Sequence, residues 1–383
     1  MRIRNNSVQY LLINITYYFR LQSCAKAYDV YSKDMHLINY YLVGVLDRME
    51  KKDIDKIKII DCTIRDGGII NNFRFEDATV KNVFKTCIKA GVDYMEIGYK
   101  ASEEYFSYKD FGIWKFCKED DIKKILEIDK GNLKLSAMAD IGRTNFKQDI
   151  LPKEKSILDL IRVAAYIEQI DEALEMIKYI SDKGYDTTLN LMAISRINPK
   201  ILNRAIELIS KSDIKVIYIV DSFGALYTDD VKFLTEECLN YMKVQGKEIG
   251  IHVHNNRQMA FANTIEAIKS GATFLDATMA GLGRGAGNCA LELIMGYLNF
   301  ENYKMRSVIK CIQEYILPLR EKIRWGYDIP YMLTGQFNLH PKSAISFFDD
   351  EMYPYKYVEF FDNVINMEGK DSVNNIKSPL NIF

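Results

Sequence analysis

What most narrows the folds open to this chain is a rhythm. From Ile57 onward, eight apolar, β-rich runs recur with helical stretches between them. The runs are "IKIIDCTI" (57–64), "VDYMEIGY" (92–99), "LKLSAMAD" (133–140), "LDLIRVAAY" (158–166), "YDTTLNLMAI" (185–194), "IKVIYIVDS" (214–222), "KEIGIHVHN" (247–255) and "ATFLDATMAG" (272–281). Amphipathic patterning places helices over 76–90, 169–184, 199–211, 228–245, a segment ending at Gly271, and 288–298. Eight such units make a closed (β/α)8 TIM barrel rather than an open doubly wound sheet, and no G-x-G-x-x-G follows the first run. The second loop is interrupted by an aromatic insertion, "EEYFSYKDFGIWKF" (103–116).

Around this core the chain divides into an N-terminal extension (1–55), the barrel (56–300) and a helical, aromatic C-terminal appendage (301–383). The stretch "SVQYLLINITYYFRLQ" (7–22) is too short and too broken by polar residues to span a bilayer. Arg2 and Arg4 precede it, but no small-residue cleavage site follows, so a cytosolic extension is the reading. Residues 38–52 pattern as an amphipathic helix.

Lys and Arg number 51 against 52 Asp and Glu, a balance that gives no field to attract nucleic acid or an anionic membrane. Seven scattered cysteines without a C-x-x-C pair fit reduced thiols in the cytoplasm, not a disulfide framework or a structural zinc. Oligomers are common among barrels, so a homo-oligomer is compatible with the pattern, though no interface is legible.

In a barrel, chemistry sits at the C-terminal ends of the strands and in the loops after them. Two of the four histidines, His252 and His254, stand two apart at the end of the seventh run, so both point to one side. They suit cis ligands to one metal ion, or a plain hydrogen-bonded pair near the surface. Asp66 in "DCTIRDGG" (61–68) supplies a carboxylate at the end of the first run, beside Arg65. Alternation would send these neighbours to opposite faces, so the backbone is expected to turn at Gly67 and Gly68. One carboxylate and two imidazoles with open positions favour Mn²⁺ or Mg²⁺ over a closed zinc site. Glu96 closes the second run and should face the mouth. "GLGRGAGN" (281–288) offers Gly283 and Gly285 to an anionic ligand and Asn288 as a further ligand to metal or substrate. Asp221 and Ser222 end the sixth run and are candidate substrate contacts. Arg162, within the fourth, reads either as a substrate contact or as a barrel-packing ion pair.

"DCTIRDGG", "MEIG", "HVHN" and "GLGRGAGN", in this order over residues 56–300, resemble the DRE-TIM metallolyases. That family includes 3-hydroxy-3-methylglutaryl-CoA lyase, 2-isopropylmalate synthase and 4-hydroxy-2-oxovalerate aldolase. The resemblance implies a metal held by Asp66, His252 and His254, joined in some members by Asn288. It implies that Arg65 stabilises an enolate oxygen and that Glu96 supports Arg65. "IRVAAYIEQIDEALEMI" (161–177) is similar to the aldolase branch, which points to a 2-oxo acid and an aldehyde as substrates. Claisen-type acyl-CoA synthesis and a non-catalytic metabolite-binding barrel are the alternatives.

The departures matter equally. Cys289 follows the glycine loop instead of lying inside it, so the lyase cysteine has no counterpart. The synthases carry a glutamine after R-D-G and a long regulatory domain, and this chain has neither. Where the aldolases carry a histidine base, it has Gly68, Ile69 and Ile70. His340, Tyr327 and Tyr331 in the appendage are the candidates for moving the proton.

Overall fold

A computed structural model describes residues 56–127, 129–298, 303–348 and 356–371. The expected extension at 1–55 and the last twelve residues lie outside the described residues. Eight parallel strands close into a barrel in sequence order: β1 (Lys58–Asp61), β2 (Tyr94–Tyr99), β3 (Lys134–Asp140), β4 (Leu160–Ala165), β5 (Asp186–Leu191), β6 (Val216–Asp221), β7 (Glu248–Val253) and β8 (Phe274–Ala277). β1 pairs with β8 to shut the ring. The fold is the (β/α)8 barrel expected from the alternating runs.

The strands are shorter than the apolar runs by one to three residues at most ends, because apolar side chains continue into the loops. Helices Asp77–Ala90, Ile170–Asp182, Pro199–Ser210, Thr228–Met242, Ala260–Lys269 and Leu291–Leu298 fall where amphipathic patterning puts them. Asn198 caps one of them, accepting from Lys200 N–H ahead of a proline in the first turn, which pre-sets the helical φ.

Even-numbered strand residues point inward. Ile60, Cys62, Tyr94, Leu160, Val216, Tyr218, Val220 and Phe274 pack together inside the ring. Odd-numbered Ile59, Ile97, Leu135, Ile161, Leu189, Ile219, Ile251 and Leu275 bury against the outer helices. Beyond the barrel, helix Met305–Cys311 packs on Asp77–Ala90. Helices Ile329–Gln336, Lys342–Phe347 and Tyr357–Asp371 share an apolar cluster that includes Ala286 of the loop after β8. Among the described residues no helix is long and apolar enough to cross a membrane, and the six described cysteines are free and buried.

Candidate metal centre

The first correction concerns "DCTIRDGG". β1 stops at Asp61, and Thr63–Asn71 is a helix, so Arg65 and Asp66 lie in its first turn. Successive residues on a helix are about 100° apart, which lets both neighbours reach the mouth without a glycine turn. Gly67 and Gly68 serve packing instead. A Cβ on Gly67 would lie 2.7 Å from Leu282 Cδ2, and one on Gly68 would lie 2.2 Å from the Phe73 ring. The bend comes earlier, where Asp61 accepts from both Thr63 N–H (3.2 Å) and its hydroxyl (2.6 Å).

Asp66, His252 and His254 each offer one ligand atom, and these atoms lie within 4.8 Å of one another. All three side chains are buried. His252 Nε2 is 3.2 Å from Asp66 Oδ2, and the two imidazoles meet edge to face with centroids 5.2 Å apart. Asn288 Nδ2 donates to the same Asp66 oxygen at 2.7 Å. Two buried acceptors here receive no hydrogen bond, Asp66 Oδ1 and Asn288 Oδ1, and His254 Nδ1 is likewise without a partner. Orphaned acceptors from several elements are costly unless something satisfies them, and a cation does so. The donor set therefore fits a hard divalent ion.

The electrostatics agree. Burial alone would raise the Asp66 carboxyl, but Arg65 and His252 hold it well below the usual carboxylate range. Burial and Arg284 push His254 well below an ordinary imidazole, leaving it neutral, as a ligand must be. His252 moves the other way, because hydrogen bonds to Asp276 and Asp66 outweigh burial and raise it. A second trio, Cys62, His252 and Asp276, is equally compact. There, however, Asp276 Oδ2 is already engaged by Arg162, and burial pushes the Cys62 thiol up.

Asp276 on β8 was not singled out by sequence reasoning. Its Oδ2 lies 3.0 Å from His252 Nδ1 and accepts from Arg162 Nη2 at 2.7 Å. A carboxylate on the far nitrogen of a ligating histidine fixes tautomer and ring orientation. Its signal was available: it shares inward parity with Phe274 and stands one staple of the ring from His252.

Glu96 lies inside the barrel, not at its open mouth. Its Oε2 accepts from Arg65 Nε at 2.6 Å and Arg162 Nη1 at 2.9 Å. Arg162 is fully enclosed, paired to Glu96 and Asp276, with its guanidinium 4.3 Å from the Tyr218 ring centroid. Of its two sequence readings, the packing ion pair matches this geometry.

The other residues named from the sequence have the following surroundings. Asp221 is buried and caps the following loop, accepting from Ala225 and Leu226 N–H at 2.9 and 3.0 Å, which engages both oxygens. Ser222 Oγ accepts from Ala193 N–H. The glycine loop folds on itself: Asn288 N–H donates to Gly281 O, and Gly287 N–H to Arg284 O. A Cβ at Gly283 would strike Asn288 Nδ2 at 2.3 Å, while Gly285 (φ +67°) faces Tyr331. Gly283 leaves the room that Asn288 fills, and the loop's own charge is Arg284, which the sequence reading missed. Arg284 Nη2 donates to Ser222 O at 2.8 Å and lies 3.4 Å from His254 Nε2.

His340 sits beyond Arg284, with Nε2 3.4 Å from Arg284 Nη1. Its Nδ1 accepts from Lys342 N–H at 3.0 Å, which puts the ring proton on Nε2. Burial lowers it to about 3. A neutral ring whose lone pair is engaged is a poor base, so the geometry does not favour His340 for the proton. Tyr327 is 58% exposed, and Tyr331 packs on Phe348 in the C-terminal cluster.

Comparison with known proteins identifies the family. The HMGL-like family model matches residues 56–313. The 4-hydroxy-2-oxovalerate aldolase of Moorella thermoacetica is 29% identical over 304 residues, 76% of this chain and 88% of that protein. The oxaloacetate decarboxylase of Mycobacterium tuberculosis is 27% identical over 246 residues, 63% of this chain and 69% of that one. Among solved structures, the N-terminal domain of a candidate aldolase from Bacteroides vulgatus superposes with a TM-score of 0.67 at 30% identity, covering 79% of this chain and 99% of that domain. Hydroxymethylglutaryl-CoA lyase from Pseudomonas aeruginosa shares the fold, with a TM-score of 0.56 at 17% identity over 70% of this chain and 93% of that one. With two thirds of its length matched by one family model, the chain belongs to the HMGL-like family.

Proposed function

We propose that this protein is a divalent-metal-dependent aldolase that cleaves or forms a 4-hydroxy-2-oxo acid, with a 2-oxo acid of the pyruvate type and an aldehyde as the products of cleavage. The observation that carries the reading is the pairing of the Asp66–His252–His254 ligand set with Arg65. That guanidinium is anchored by Glu96 through Nε and has a buried Nη2 that makes no hydrogen bond. Asp66, His252, His254 and Asn288 would hold Mn²⁺ or Mg²⁺. When bound, the ion would supply Lewis-acid polarisation of the donor's carbonyl. Arg65 Nη2 donates to the oxygen on which negative charge develops as the C–C bond breaks, and Glu96 keeps it aimed there before the reaction begins. Asp276 holds His252 in the ligating tautomer. The thiols, all free and buried among the described cysteines, fit a reducing compartment, and we assign the enzyme to the cytoplasm on that ground.

The test is cleavage of 4-hydroxy-2-oxopentanoate, with pyruvate followed by a coupled dehydrogenase, with and without Mn²⁺. His252→Ala should abolish metal-dependent turnover, and full activity in that variant would sink the assignment. A decarboxylating reading is favoured by one observation, the Gly68-Ile69-Ile70 stretch where the aldolases carry a base. Loss of CO₂ from a β-carboxylated 2-oxo acid leaves the same enolate and requires no hydroxyl deprotonation.

A further inference from the structure

Aldol cleavage needs a group to take the hydroxyl proton, and the metal side of the mouth offers none. The opposite side does. Asp140, the last residue of β3, shares the parity of Ser136 and Met138, whose ladder partners Glu96 and Arg162 face the barrel interior. It therefore points inward at the rim where barrel sites form. It is buried, and its Oδ1 receives no hydrogen bond. Its Oδ2 lies 3.7 Å from Arg143 Nη1. One oxygen is thus left for a ligand, whereas Asp221 has both of its oxygens engaged by backbone N–H groups.

The surroundings form a compartment. A bulge shifts the β2–β3 register between Glu96 and Tyr99, so Tyr99 pairs with Met138 and turns to the interior face, against simple alternation. Phe73 meets the Tyr99 ring edge to face at 5.5 Å. The Lys115 ammonium, from the aromatic insertion, sits 4.3–5.5 Å from the centroids of Phe73, Tyr99, Phe106 and Phe111. Thr144 Oγ1, one turn beyond Asp140, is also buried without a hydrogen-bond partner.

We propose that Asp140 is the catalytic acid–base residue of the aldol step, acting in an acceptor subsite walled by Tyr99, Thr144 and Lys115; this rests on the aldolase reading above. In cleavage, Asp140 takes the proton of the C4 hydroxyl. The oxygen's electron pair forms the aldehyde C=O, the C3–C4 bond breaks, and its pair becomes the C2–C3 double bond of the enolate beside Arg65. Asp140, now protonated, delivers that proton to C3, which completes the 2-oxo acid and restores the carboxylate; in synthesis it takes the C3 proton and returns it to the new alkoxide. The groups facing Asp140 suit the task. Burial pushes its carboxyl up, Arg143, Lys115 and Arg65 draw it back, and Glu96 adds to the rise. Its proton affinity thus moves toward the working pH, where general bases are efficient.

The experiment compares two reactions in wild type, Asp140→Asn and Asp140→Glu: cleavage of 4-hydroxy-2-oxopentanoate, and decarboxylation of oxaloacetate, which breaks a C–C bond without a hydroxyl proton. Asp140→Asn should lower the ratio of cleavage to decarboxylation by about 10²–10⁴-fold. Asp140→Glu should recover part of that ratio, and the acidic limb of the cleavage pH profile should vanish in the Asn variant. Parallel loss of both reactions, or an unchanged ratio, overturns the proposal. Absence of aldol cleavage in the wild type under every metal tried overturns the aldolase reading instead, and the proposal with it.

Discussion

Asp276→Asn probes the centre most directly, because one oxygen of Asp276 joins the proposed metal ligands to the barrel's ion network. Oδ2 lies 3.0 Å from His252 Nδ1, 2.7 Å from Arg162 Nη2 and 3.7 Å from Arg65 Nη2. The amide keeps the shape and removes the charge, so His252 loses the partner that orients it and makes it more basic. Losing such a partner weakens metal binding by about 10–100-fold, or roughly 1.4–2.7 kcal/mol. An ion at about 100 times its Kd stabilises the wild type by roughly 2.7 kcal/mol, and at the same concentration the variant retains about 0.4–1.4 kcal/mol. At roughly 2–4 °C per kcal/mol, Mn²⁺ should raise the wild-type Tm by about 5–11 °C and the variant's by about 1–6 °C. The metal-free variant should also be less stable. That loss stays below the roughly 3–5 kcal/mol of breaking a buried pair outright, because Glu96 still accepts from Arg162. Thermal melts over a Mn²⁺ titration, backed by calorimetric Kd values, provide the measurement. Equal Mn²⁺ affinity in the two proteins would refute the orienting role and reduce Asp276 to barrel packing.

Three further outcomes are expected. His252 is raised above the ordinary value of about 6.5. In the metal-free chain its imidazolium therefore adds stability that is complete below that value and is lost as pH rises through the raised pKa. An ion needs the neutral ring, so the Tm gain from Mn²⁺ should shrink as pH falls through the raised value, affinity dropping about tenfold per unit; a pH-independent gain would count against His252 as a ligand. Gly98→Ala should destabilise by at least about 3 kcal/mol in urea unfolding, since its Cβ would lie 1.9 Å from Trp114 O at φ +153°, and near-wild-type stability would contradict the bulge geometry. Glu96→Gln places an amide nitrogen where the unpartnered Oε1 now sits and loosens Arg65. It should cost about 1–3 kcal/mol of stability and roughly 10²-fold in kcat with KM little changed, whereas an unaltered kcat would show that Arg65 needs no anchor.

The barrel was legible because a parallel strand covered on both faces reads as an apolar run, and eight such runs leave little else to build. The histidines were legible because a two-residue spacing has one meaning on a strand. Helix Thr63–Asn71 was not, since "TIRDGGIIN" contains two glycines and three isoleucines, poor material for an isolated helix. Packing under Leu282 and Phe73 decides it, and the Leu282 contact spans more than two hundred residues. Asp276 and Asp140 were hidden for another reason. Each is an ordinary acid in an apolar run until the ring's register shows which face it takes. Tyr99 needed more still, because a bulge reverses the face that alternation assigns to it.

These placements give the mouth a direction. The proposed ligands and Asp276 come from β7, β8 and the helix after β1, three neighbouring staves joined by ring closure. Arg65 is tied to Glu96 on β2, and Asp140 closes β3. Moving round the rim, one passes from the proposed cation site to a guanidinium and then to a carboxylate with one oxygen free of hydrogen bonds. A 4-hydroxy-2-oxo acid carries its groups in the same order: the carboxylate and 2-oxo oxygen, the carbon chain, the hydroxyl. Reversing the ligand would set its carboxylate against Asp140, like charge against like in a buried site, while offering the cation only a neutral hydroxyl. One orientation is thus favoured twice, and the aromatic insertion carrying Lys115 bounds only the hydroxyl end. Variation in "EEYFSYKDFGIWKF" should consequently change which aldehyde is accepted while leaving the 2-oxo acid half untouched.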